Sequence, residues 1–207
     1  MTVATPDGAR RNRWEHRVLA ALAYPANLAF AGVAAFLLAL PIVTWLPASV
    51  AAGRAMHGWL TDGDDRVFTT TMREFAATWR RTMPAGLVAT AVATVFTINL
   101  VFLGSRDAPV AFLLATAMLP FAAAFVLVIV MLPVAAARWP DASMRRWLTE
   151  AVALAAARPV ASAALVVIVA AFGLTCVLVP TIVPFFGLSV PVWLGLATAR
   201  VTRGPQT

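Results

Sequence analysis

The 207-residue chain contains no lysine, one cysteine, one tyrosine and two histidines, and only 12% of its residues are charged. Each scarcity removes a class of chemistry. A lone cysteine, Cys176, can form neither an internal disulfide nor a multi-cysteine zinc site. It sits in an apolar run, where cysteine behaves as a small hydrophobe. His16 and His57 have no nearby cysteine or acid to complete a ligand set, and neither has a serine at triad spacing. There is no phosphate-binding glycine loop, no H-E-x-x-H and no G-x-S-x-G. No catalytic residue and no cofactor or metal site is expected, and the chain reads as a non-enzyme. Asp62, Asp64 and Asp65 cluster, but without the bidentate glutamate of a calcium loop they read as a cap before a helix.

What is abundant is hydrocarbon. The chain is 61% hydrophobic with a mean hydropathy of +0.85, whereas a soluble domain is nearer half apolar and a quarter charged. The excess is gathered into long uncharged runs, and about 18 such residues suffice for a helix to cross a bilayer core of roughly 30 Å. The expected fold is therefore an all-α, polytopic helical membrane bundle in one domain. Four transmembrane helices are expected at 84–104, 108–137, 159–179 and 182–199. Pro120 and Pro133 are expected kinks, and a turn is expected near Val179-Pro180-Thr181. Two polar segments, 54–83 and 138–158, read as cytoplasmic amphipathic helices, with Phe68, Met72, Phe75 and Trp79 recurring at helical spacing in the first.

The first apolar segment, 18–53, is broken by Pro25, Pro41 and Pro47. It reads as a short re-entrant hairpin turning at Pro41-Ile-Val-Thr-Trp-Leu-Pro47, with a single kinked span as the alternative. Thr44 and Ser49 are capping candidates for the returning helix. The run is too long for a cleaved signal peptide and is expected to be retained.

Charge sets the orientation. The net charge is +7, with 16 basic residues against nine acids. With both polar segments and the C-terminal tail cytoplasmic, Arg106 is the one arginine of the later spans left outside, as the positive-inside rule requires. A hairpin would also bring Arg10, Arg11, Arg13 and Arg17 inside. Nucleic acid is not an expected partner, because the arginines border apolar runs rather than forming a stripe interleaved with stacking aromatics. The lipid bilayer is the expected partner, and several tryptophans, Trp45, Trp59, Trp79, Trp139 and Trp147 among them, fall at span ends.

No acid falls within an expected span, which weighs against an ion-coupled carrier. The polar residues that could line a pathway or bond between helices are Asn99, Thr94, Asn27, Thr44 and Arg54. Asn99 should face other helices, since an amide in hydrocarbon needs a partner. An interhelical hydrogen bond is the expected role. Arg54 is expected to snorkel to the headgroups, with pairing to an acid such as Asp62 as the alternative.

The block Asn27-Leu28-Ala29-Phe30, then Leu40-Pro41-Ile42-Val43-Thr44, then Leu46-Pro47-Ala48, with Ala51-Ala52 and the basic helix carrying Phe68 and Phe75, resembles the YesL-like family of bacterial membrane proteins. The similarity covers about residues 27–87, with Leu46 where the family pattern has glycine. The resemblance implies a multi-pass protein of the bacterial cell membrane with no assigned catalytic residues, and the arginine distribution puts its C-terminus on the cytoplasmic side. It also implies an accessory role in carbohydrate uptake, with an ABC-type sugar permease as a partner. The alternative is a small carrier or channel acting by self-association as an oligomer.

Overall fold

The computed structural model describes the backbone of residues 6–200 and the side chains of residues 22–199. The N-terminal arginines, His16 and the tail beyond 200 lie outside the described side chains. Among the described residues every regular element is helical: α1 (Pro6–Ala39), α2 (Trp45–Asp62), α3 (Val67–Gly104), α4 (Pro109–Arg138), α5 (Met144–Ala156), α6 (Pro159–Leu178), a 3-10 turn (Pro180–Ile182), α7 (Val183–Phe186) and α8 (Ser189–Arg200). Four helices are long and apolar enough to cross a membrane, within Leu22–Ala39, Val67–Gly104, Pro109–Arg138 and Pro159–Leu178. The protein is an all-α polytopic membrane bundle.

The first apolar segment is a helical hairpin whose break occupies the first part of the turn expected at Pro41–Pro47. Helix α1 runs unbroken through Pro25, and the turn falls at residues 40–44. Pro41 lacks an N–H and cannot continue the ladder. Ile42 takes φ 53°, a left-handed conformation that a β-branched residue adopts only under constraint. The Thr44 hydroxyl donates to the Leu38 carbonyl at 2.6 Å, satisfying an acceptor at the end of α1 instead of capping α2. Ser49 donates to Leu46 O. Neither residue is the side-chain cap expected of it. Pro47 does stand in the first turn of the returning helix. Tyr24 meets Trp59 in a tilted contact with ring centroids 4.9 Å apart, so the open ends of the two arms meet and the pair is antiparallel.

The hairpin is shorter than the helix beside it. Trp45, at its tip, donates from Nε1 to Thr90 Oγ1 at 2.9 Å. Helix α3 then continues to Gly104, 14 further residues or about 21 Å. The α3–α4 hairpin therefore projects beyond the α1–α2 tip, and its outer half is coated with exposed apolar groups including Val95, Ile98, Val101, Phe112, Leu113 and Phe121. Hydrocarbon is the solvent in which such a surface is stable.

The segment 54–83 is divided between two helices. Gly63, at φ 74°, closes α2 in the left-handed conformation, its N–H bonded to Trp59 O. Asp64 then accepts from Arg66 N and from the Thr70 hydroxyl, organising the start of α3. From there α3 is one 38-residue helix that passes through Pro84 into the apolar stretch. The segment 182–199 is a broken pair, Pro180–Phe186 and Ser189–Ala199, bent by 52°. Pro191 explains the place of the break, since its ring would clash with the carbonyl of residue 187 in a continuous helix.

The core is built around α2. Ten of its residues, Leu46 to Gly53 together with Ala55 and Met56, are buried, so the helix is covered on every side. Its neighbours are α1, α3, α4 and α8. Burial all round needs close approach, and the side chains that allow it are Ala48, Ser49, Ala51, Ala52, Gly53 and Ala55. At Gly53 a Cβ would lie 2.6 Å from Pro133 Cβ on α4, so only glycine fits that crossing.

Just past the C-terminal end of α4, Trp147 of α5 is fully buried. Its Nε1 donates to Trp139 O at 2.7 Å. Arg81 of α3 lies 4.2 Å over the ring and donates to Pro140 O. One tryptophan thereby joins α3, α4 and α5. Replacing Trp147 by alanine should cost about 3 kcal/mol or more and lower the thermal melting temperature in detergent by several degrees. The exposed neighbour change Leu148→Ala should leave the melt nearly unchanged. The helix order also fixes sidedness: with Cys176→Ser as background, Gly63→Cys and Ala142→Cys should react with an impermeant maleimide from one face of the membrane and Ser105→Cys from the other. Labelling of all three from one face would exclude this topology.

Candidate functional site

The charged residues of the bundle interior gather where α2 faces the first half of α3. Arg54 Nε lies 2.8 Å from Glu74 Oε2, with about a fifth of each side chain exposed. The pair is made by the turn between the helices: both residues stand ten positions from Asp64, so an antiparallel return brings them level. Arg54 thus pairs with Glu74, in place of the snorkelling expected of it or pairing with Asp62. Glu74 lies 16 residues, about 24 Å, before the Thr90 level of α3. The pair therefore occupies the end of the bundle away from the apolar hairpin, where water can assist its solvation.

Along the same face of α3, Thr71, Thr78 and Thr82 are buried against the core. Their hydroxyls donate to Val67 O, Glu74 O and Thr78 O of their own helix. Each threonine presents its methyl to the seam and keeps its hydroxyl satisfied. Beside this seam, His57, Leu60, Thr61, Val134, Arg138, Leu196 and Ala199 line a cleft of about 270 Å³. Arg138 Nη2 donates to Ala199 O at 2.6 Å, tying the C-terminal end of α4 to α8. On the opposite flank Asn27 Nδ2 donates to Asp65 Oδ1 at 3.4 Å, and the Trp193 indole N–H donates to Tyr24 Oη.

A separate feature lies on the outside of α3. Arg66, at the N-cap, and Arg73 and Arg80 within the helix are exposed and recur every seven residues, which brings them to one side of α3. Arg80 lies 5.5 Å from the Trp79 ring centroid. Among the described residues, Arg66, Arg73 and Arg80 form no ion pair.

The expected polar residues are not gathered into one site. Asn27 and Arg54 lie toward the charged end, on different flanks of α2, and Thr44 is at the hairpin tip. Asn99 and Thr94 are exposed on the outer half of α3, bonded only to Val95 O and Thr90 O of their own helix. The expectation that Asn99 faces other helices of this chain is overturned. A span that is apolar on all sides carries no period from which to read the orientation of one amide. Glu74 and Tyr24 carry no expectation from the sequence, and Asp65, expected in a cap, instead accepts from Asn27. For Glu74 the usable signal was its equal distance with Arg54 from the Asp64 turn.

Among the described residues no group of three or more His, Cys, Asp or Glu side chains could hold a metal ion. Residues 23–100 match the family described as "Protein of unknown function, DUF624". No curated protein and no solved structure matches the chain.

The Arg54–Glu74 pair yields a direct test. Removing one partner strands a charge in a half-buried seam, so Arg54→Met or Glu74→Leu alone should destabilise the protein by about 2–4 kcal/mol. The double variant should recover most of that loss. Chemical denaturation in detergent measures the cycle, and strictly additive losses would show that the two side chains do not interact.

Proposed function

We propose that the protein is a non-enzymatic accessory component of the bacterial cell membrane, with a cytoplasmic C-terminus, that docks on an uptake system through the basic flank of α3. The row Arg66, Arg73 and Arg80 carries this reading. Three exposed guanidinium groups, about 10.5 Å apart along one helix, form a rigid positive edge at the charged end of the bundle. Arginine supplies directional donors to carboxylates, and a row of fixed spacing favours an acidic helix or loop on a membrane partner. Placing this edge on the cytoplasmic side accords with the positive-inside rule.

The resemblance to the YesL-like family supports carbohydrate uptake as the process and an ABC-type sugar permease as the partner class. Asn99 and Thr94 lie on the outer surface and line no cavity inside one copy, which favours an accessory role over a carrier whose pathway runs through a single chain. So does the composition of a cleft of about 260 Å³ beside the hairpin tip. It is lined by Trp45, Ser49, Phe125, Ile129, Val169 and Leu188 among others, and is almost wholly apolar.

The tagged chain, purified in mild detergent from its native membranes, should bring down a transporter subunit identified as a sugar permease. Arg66→Gln, Arg73→Gln and Arg80→Gln together should reduce that recovery at least tenfold while leaving the melting temperature unchanged. Purification without any transporter subunit, or recovery indifferent to the triple change, would overturn the proposal.

A further inference from the structure

We propose that the outer half of α3 is a contact between two copies of this chain within the bilayer, centred on Asn99. The side chain lies five residues, about 7.5 Å, inside the Gly104 end of the helix, within the stretch 84–104 that is apolar apart from its threonines and this one amide. One of its N–H groups donates to Val95 O at 2.8 Å. Among the described residues no donor reaches its amide oxygen, and the side chain is exposed. An amide oxygen and a second N–H turned toward hydrocarbon are costly, because lipid chains offer no hydrogen bond in exchange. The α1–α2 hairpin cannot supply the partner, since its tip at Trp45 stops at the level of Thr90. Helix α4 packs about 60° round α3 from Asn99, where its Phe125 meets Phe96 with ring centroids 6.0 Å apart, and it supplies the amide with no hydrogen bond.

The surface around Asn99 has the form of a helix contact. Val88, Val95 and Phe102 are all exposed and fall within about 60° of Asn99 on the helical wheel. They make a continuous apolar stripe with the amide in it. Asparagine is its own complement, because the amide carries both donor and acceptor and a two-fold axis sets each against the other. Association of membrane helices relies on such packing and hydrogen bonds, there being no hydrophobic drive between helices in lipid. A second copy therefore meets the requirement with no further component. Thr90, Thr94 and Thr97 fall on the opposite side of the helix and already bond their own carbonyls, so they make no comparable demand.

The test uses the full chain alone in proteoliposomes at high lipid dilution, with Cys176→Ser as background. Val95→Cys should cross-link into a disulfide dimer under mild oxidation, whereas Thr97→Cys, facing the other way, should not. Adding Asn99→Leu should weaken dimerisation, read from the dilution dependence of the cross-link, by about three- to twentyfold. Asn99→Gln should retain most of it. Because Asn99 is exposed, these variants should melt like the parent. A parent that stays monomeric, equal cross-linking at both positions, or a dimer unaffected by Asn99→Leu would each overturn the proposal. The result is independent of whether a transporter subunit is bound elsewhere on the chain.

Discussion

The architecture depends on the close approach of helices around α2. In lipid there is no water to drive apolar surfaces together, so helices associate through contact and hydrogen bonding, both of which need backbones near one another. Helix α2 meets that need with alanine, serine and glycine across its middle, and four other helices close on it. The cost of the arrangement is its intolerance of volume: at Gly53 the proline of α4 already occupies the place of a Cβ. Everything polar in the seam then has to be satisfied locally. The threonines of α3 bond back to their own carbonyls, and Arg54 finds Glu74.

This packing divides the molecule into a dense base and a slender outer part. At the base, indole and guanidinium groups join helix ends: Arg81 on Trp147, Trp147 on the Trp139 carbonyl, and Arg138 on the Ala199 carbonyl. In the outer part, α3 and α4 continue as a hairpin with little around them, and α6 is largely exposed along its length. Such an inversion, with valine, isoleucine and phenylalanine outside, is stable only where hydrocarbon replaces water. Aromatic and charged groups hold the structure where water is near, and small residues hold it where they can interlock.

Segment length made the spans legible, because nothing but a membrane calls for uncharged runs beginning at Pro84, Ala108 and Pro159. Local turn chemistry was legible too: the Gly63–Asp65 region does separate two helices, and Pro41 does lie in a tight turn. The hidden features all concern which of several permitted outcomes tertiary packing selects. Pro25 stays inside a helix and Pro191 forces a break, although each is a proline within an apolar run. Arg54 had a free choice between headgroup and acid until the hairpin register brought Glu74 level with it. Asn99 was assigned a partner inside the bundle because an amide in hydrocarbon needs one. The need holds for any amide in hydrocarbon, but the direction of the side chain depends on the rotation of α3, which a uniformly apolar span does not encode.

The extent of the family match bears on what is a unit here. Residues 23–100 hold the hairpin, the Asp64 turn and nearly all of α3, and so contain both partners of the Arg54–Glu74 pair, the threonine row and Asn99. They do not contain what finishes the burial of α2. Pro133 of α4 fills the space opposite Gly53, and α8 contributes a further face. An isolated hairpin with α3 would leave alanine and glycine backbone, together with a half-buried ion pair, open to lipid or water. The matched stretch is thus a pattern of close-packing positions whose complement is supplied by the second half of the chain. The small residues of α2 are needed for that complement as much as for the hairpin itself.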